Sequence, residues 1–176
     1  AEAYAALDNY EKSLEHQNIA IKYDTRSQLK LNRAITLLTL NQYQEGWAEY
    51  ENRLGDDIIS SPRRRLSVPR WNRQPLQNKT ILVCSEQGVG DELYFSSYLP
   101  RLIEISGRII LETDPRLTQL FRESLKELAV FPYSRRITYN QPIFNYGWLP
   151  KYIYPDFYID LASLPHFLLE EGMKPL

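Results

Sequence analysis

The sequence predicts an α/β protein in which helical hairpins precede a parallel sheet. Three observations predict it. The first fifty or so residues echo themselves at an offset of 33, short apolar runs then alternate with helix-like segments, and a glycine turn ending in a carboxylate follows the first of those runs. Composition sets the frame: 176 residues, 43 % hydrophobic and 24 % charged, bury a core and leave room for an appendage. A formal net charge of -1 gives no electrostatic case for nucleic acid or an anionic membrane as partner. The one cysteine, Cys84, lies inside an apolar run, where it reads as a small buried hydrophobe, and a reducing, cytoplasmic setting fits best. No apolar run approaches the ~20 residues of a membrane helix.

The echo aligns Tyr10, Ser13, Leu14 and Gln17 with Tyr43, Gly46, Trp47 and Tyr50. Its period is close to that of tetratricopeptide repeats, whose helical hairpins stack on their neighbours. Asp8-Asn9-Tyr10 and Asn41-Gln42-Tyr43 then occupy the turns within hairpins. Tyr43, Trp47 and Tyr50, at helical spacing, read as repeat core. Only the end of a first helix precedes the first turn, so the chain is expected to begin in mid-repeat, with further repeats before Ala1. Residues 1–55 are assigned to these repeats.

Residues 56–78 read as a linker. Pro62, Pro69 and Pro75 exclude a continuous helix, Arg63-Arg64-Arg65 is expected to be a solvated face, and Trp71 to anchor the segment on a neighbouring surface.

Residues 79–176 carry the alternation: Thr80–Cys84 as strand, Asp91–Ile105 as helix with a kink or restart at Pro100, Arg108–Glu112 as strand, Pro115–Leu125 as helix, Leu128–Phe131 as strand. Such an order signals βαβ units, a Rossmann-like parallel sheet. Phe131 to Tyr158 is dense in aromatics and prolines and reads as loop that packs on itself, with stacking on a sugar as the alternative. Tyr158-Ile159-Asp160 reads as a last short strand.

Between the first strand and its helix stands Glu86-Gln87-Gly88-Val89-Gly90-Asp91. Two glycines permit a sharp turn and close approach of a ligand, at the strand end where open α/β sheets place their sites. The dinucleotide pattern GxGxxG fails because Leu93 stands at its third glycine, which disfavours an oxidoreductase. Asp91 can act on a bound molecule or cap the helix that begins there. Glu86 is either a second carboxylate in a cleft or a partner for a backbone amide. The two histidines, His16 and His166, are isolated, and neither a metal nor a cofactor is expected.

Together with Asn32-Arg33-Ala34, Gly46-Trp47-Ala48-Glu49-Tyr50-Glu51-Asn52-Arg53, Pro69-Arg70-Trp71, Tyr98-Leu99-Pro100 and Ser163-Leu164-Pro165, this loop gives the chain its likeness. It resembles bacterial proteins that join tetratricopeptide repeats to a GT-B glycosyltransferase related to the lipopolysaccharide heptosyltransferases. Ser85 departs from the family, standing where glycine is usual, and so does Ser97, where an arginine often precedes Tyr-Leu-Pro. The resemblance implies truncated tetratricopeptide-like hairpins followed by the Rossmann-like, acceptor-binding half of a GT-B enzyme. That enzyme would be inverting and metal-independent, with Asp91 as catalytic base and Glu86, Gln87, Gly88 and Gly90 around the substrate. Its implied partners are a nucleotide-sugar donor, held mostly by a C-terminal half not in this chain, and a protein or glycan acceptor. The isolated chain is then expected to be inactive. The alternative is a non-catalytic module whose repeats hold a protein partner.

Overall fold

A computed structural model describes residues 1–150 and 153–169, apart from the side chain of Arg63. The chain is α/β and forms two compact units, Ala1–Ser61 and Pro62–Leu168. The segment read as a linker is therefore divided, its larger part belonging to the second unit.

The first unit is helical: α1 (Glu2–Ala5), α2 (Tyr10–Tyr23), α3 (Ser27–Thr39) and α4 (Tyr43–Tyr50), then a 3-10 turn, Glu51–Leu54. The echo has a local cause that the backbone repeats. Asp8 and Asn41 both take left-handed φ, 54° and 60°. Each side chain accepts a hydrogen bond from the tyrosine hydroxyl two residues on, Tyr10 and Tyr43, as the next helix begins. Aspartate and asparagine tolerate this conformation better than most residues. Ser13 and Gly46, equivalent in the echo, are both buried. A Cβ on Gly46 would come within 2.8 Å of Leu38, so α3 and α4 approach as closely as they do only because that side chain is missing. Buried Arg33 ties the helices further, donating to Asn18 at 2.6 Å and pairing with Glu45 at 2.5 Å and with Glu49.

The second unit is built on a four-stranded parallel sheet. Its elements are β1 (Arg63–Arg64), β2 (Thr80–Cys84), α5 (Val89–Ser96), α6 (Leu99–Ile105), β3 (Arg108–Thr113), α7 (Thr118–Ser124), β4 (Ala129–Pro132), β5 (Ser134–Thr138), β6 (Gln141–Asn145), β7 (Phe157–Asp160) and α8 (Leu164–Leu168). The sheet order is β4-β3-β2-β7, all neighbours parallel, with Thr80 opposite Arg108 and Cys84 opposite Asp160. Alternate residues face opposite sides and both sets are buried: Leu82, Cys84 and Ile110 on one side, Ile81, Val83, Ile109 and Leu111 on the other. Two-sided burial is why these strands read as continuous apolar runs rather than alternating ones.

The segment 91–105 restarts at Pro100 as expected: it is two helices, and Pro100 sits in the first turn of the second, where its missing N–H costs no hydrogen bond. Other details were not read from the sequence. Helix α7 starts at Thr118 rather than Pro115, because the Asp114 carboxylate accepts from the Arg116 amide at 2.9 Å and holds 114–116 in a turn. The aromatic stretch packs on itself, Phe131 against Trp148 with ring centroids 5.3 Å apart, and covers Leu82, Cys84 and Ile110. It also contains the hairpin β5–β6, closed by Tyr139-Asn140 with φ of 50° and 58°. Two left-handed residues make the hairpin turn whose twist suits the strands. Strand β1 joins β6 in parallel, giving a second sheet, β1-β6-β5. No helix among the described residues is long and apolar enough to cross a membrane.

Candidate functional site

Strand order reverses at β2: β3 and β4 build outward on one side, β7 on the other. The carboxyl ends of β2 and β7 therefore flank the crevice where open α/β sheets bind ligands. The loop 85–88 leaves β2 at this point, and the 3-10 turn Leu161–Ser163 leaves β7.

Each residue of the loop has a distinct fate. Glu86 is buried, and its Oε1 accepts from the Ala162 amide at 3.0 Å, bridging the two strand ends. Of the two roles open to it, that geometry is the structural one. Gln87 is exposed and takes the left-handed φ of 63° that glycine was expected to supply. Gly88 is extended at φ −111°, and Gly90 lies within α5. A Cβ at Gly88 would touch only Asp91 Oδ2 at 3.4 Å, an ordinary contact, and one at Gly90 would meet nothing within 4 Å. The turn itself thus requires neither glycine. What their bareness provides is open space over the first turn of α5.

Asp91 is exposed at the rim of that space. Its Oδ2 accepts from the Gly88 amide at 3.0 Å, so the carboxylate caps the helix while remaining open to solvent. The neighbouring Glu92 has the opposite environment. It is 2 % exposed and accepts from the Ser85 hydroxyl, from Thr113 Oγ1 at 2.7 Å and from the Asp114 amide at 2.9 Å. Burial pushes its carboxyl up, against the hydrogen bonds from Ser85, Asp114 and Thr113. Glu92 thus fastens α5 to the ends of β2 and β3, and Ser85, standing where the resembled family has glycine, supplies one of its donors. The signal for Glu92 was its place three residues before Phe95 on the face that continues to Leu99 and Leu102, all buried.

The second feature missed is Arg64, expected as solvated and in fact enclosed, its side chain 3 % exposed. It donates to Asp160 at 2.9 Å, Glu112 at 2.8 Å, the Tyr146 hydroxyl at 2.7 Å and the Ser85 carbonyl, and lies 4.1 Å from the Phe144 ring. Glu112, next to last in β3, and Asp160, the last residue of β7, stand on either side of Cys84, so one guanidinium closes the carboxyl edge of three strands. Burial raises the Glu112 carboxyl to about 7 despite the attraction of Arg64. Arg70 adds a contact to Asp160 at 3.5 Å and donates to Ser163 Oγ at 2.7 Å. Trp71 is buried as expected, its amide donating to the Tyr158 carbonyl at 2.7 Å.

A 120-residue stretch, 66 % of the chain, is 32 % identical to "Protein FlbA" of Caulobacter vibrioides. The chain spans 20 % of that protein's length. No family model matches the sequence, and no solved structure matches the fold. Among the described residues no group of three or more His, Cys, Asp or Glu side chains is placed to hold a metal ion.

Proposed function

We propose that the second unit is the acceptor-binding half of an inverting, metal-independent glycosyltransferase that uses a nucleotide-sugar donor, and that the helical unit is the end of a tetratricopeptide-like array. One observation carries the reading: an exposed carboxylate, Asp91, stands beside two glycines that the turn does not need, at the reversal of strand order. The first unit is consistent with a repeat, since Asp8 and Asn41 share conformation and hydrogen bonding. A cytoplasmic location suits the single buried Cys84.

In this reading an acceptor hydroxyl lies over Gly88–Asp91. Its proton passes to the Asp91 carboxylate as its oxygen attacks the anomeric carbon from the face opposite the leaving group. The bond to the nucleoside diphosphate breaks, inverting the sugar. Proton removal develops nucleophile charge only in the transition state, where it accelerates the reaction. Stabilisation of the departing diphosphate falls to the facing, donor-binding half.

The second reading is a non-catalytic module whose repeats hold a protein partner. It is favoured by the use of Asp91 Oδ2 as a cap and by the commitment of Glu86, Glu92, Arg64 and Asp160 to internal bonds. Asp91→Asn in the protein as its gene encodes it separates the two. The amide still accepts from Gly88 but cannot take a proton, so transfer from a panel of nucleotide-sugars falls about 10²-fold or more at unchanged melting temperature. Equal turnover in the two proteins would remove Asp91 from the chemistry.

A further inference from the structure

Three exposed arginines meet in one depression. Arg65, Arg135 and Arg136 are exposed and line a hollow of about 500 Å³ on the β1-β6-β5 sheet, together with Ser134, Asn145 and Phe144. Strand register brings two of the three, Arg65 and Arg136, to one face. Ser134 pairs with Asn145 and Arg136 with Ile143, while β1 runs alongside β6 with Arg64 opposite Phe144. Residues two apart share a face, so Arg65, Asn145, Ser134 and Arg136 stand on one side, whereas Arg135, which pairs with Phe144, leaves the strand on the other with Arg64 and Phe144; the hollow takes in residues of both faces. Arg135 reaches the hollow from the edge strand, its guanidinium 4.6 Å from the Tyr133 ring. That stacking limits its freedom before any ligand arrives.

Among the described residues, none of the three guanidiniums is paired with a carboxylate. The sequence shows why. No Asp or Glu occurs from Ile58 to Ser85, which holds β1, nor from Leu128 to Pro155, which holds β5 and β6, although the chain has 22 acids against 21 Lys and Arg. The whole three-stranded sheet is thus drawn from acid-free stretches of a chain close to neutral overall. Arginine's planar fork matches phosphate oxygens two at a time.

We propose that this hollow binds a phosphorylated small molecule through a phosphate or diphosphate group. A small ligand fits better than a nucleic acid: the volume is that of a ligand pocket, the positive charge is confined to one small sheet, and the chain's net charge of -1 provides no long-range attraction for a polyanion. The proposal stands on Arg65, Arg135 and Arg136 and is independent of the role given to Asp91.

Titration calorimetry of the full chain with inorganic pyrophosphate tests it, with sulfate at equal ionic strength as control. Pyrophosphate binds in the micromolar range and more tightly than sulfate. Arg65→Gln and Arg136→Gln each weaken it about tenfold, the loss expected for one charge-assisted hydrogen bond. Arg108→Gln, at an exposed arginine outside the hollow, leaves it unchanged. The side chains are exposed, so circular dichroism and melting of the variants match the parent. Absence of pyrophosphate binding, or binding that ignores both substitutions, overturns the proposal. So does tighter binding of single-stranded oligonucleotides with affinity rising with length, which would make the surface a polyanion track.

Discussion

Arg64 and Arg65 are neighbours in sequence and inhabit opposite electrostatic worlds. Around Arg64, at the carboxyl edge of the parallel sheet, charges are buried and answered: Glu112 and Asp160 by the guanidinium, Glu92 by two hydroxyls and an amide, Glu86 by the Ala162 amide. Around Arg65, on the three-stranded sheet, guanidiniums face solvent without carboxylate partners among the described residues. For Arg64 and Arg65 the difference follows from pleating, which sends consecutive side chains to opposite faces. A buried charge cluster fixes the packing of elements and is costly to disturb, whereas exposed charge contributes little to stability and stays available to a ligand.

The sharpest way to break this contrast is at Glu112. Glu112→Ala leaves Arg64 with an uncompensated share of its charge and costs about 3–5 kcal/mol in urea unfolding. Its pH behaviour is equally specific. The carboxyl rises from its ordinary 4.5 to about 7 in the folded chain, so the folded state holds the proton more tightly than the unfolded one. Glu112 therefore contributes stability that is fully present below pH 4.5 and is lost as the pH rises through about 7. Against Glu112→Gln, which does not titrate, the parent loses relative stability between pH 5 and 7.5. A flat difference across that window would show that Arg64 keeps Glu112 ionised throughout.

Next in size is Glu92→Ala. It leaves the Ser85 and Thr113 hydroxyls and the Asp114 amide without their acceptor in a buried place, a loss of about 3 kcal/mol by the same measurement. The smallest effect is at the adjacent Asp91. Asp91→Ala removes an exposed cap and costs less than about 1 kcal/mol. Similar losses from the two would make Asp91 a structural residue first and weaken the functional reading.

What the sequence disclosed was local or periodic. The 33-residue echo is legible because its determinants, a left-handed Asp or Asn and the tyrosine two residues on that donates to it, lie within three residues of each other. The parallel strands are legible because burial on both faces leaves an unbroken apolar run. The hairpin β5–β6 escaped because Tyr139 occupies a left-handed position that usually signals itself with Asn or Gly. Arg64 escaped for a different reason: three identical letters give no hint of which one the pleat turns inward. At the candidate site, the place of Asp91 could be read from strand, glycine and carboxylate, whereas Glu92 depends on contacts with Thr113 and Asp114, more than twenty residues away.

The arginine triplet carries a cost of its own during folding. A strand that slips by one residue normally shows its error at once, because apolar side chains emerge into water. Here a one-residue slip of β1 would still deliver an arginine to Glu112 and Asp160, so the ion cluster cannot proofread the alignment that brings it together. Discrimination falls to the flanks. Pro62 cannot donate to a ladder, and Leu66 packs against the core of Leu82, Cys84 and Ile110 only when the count is right. Leu66, an unremarked aliphatic residue outside any strand, is thus the residue that tells Arg64 from its neighbours.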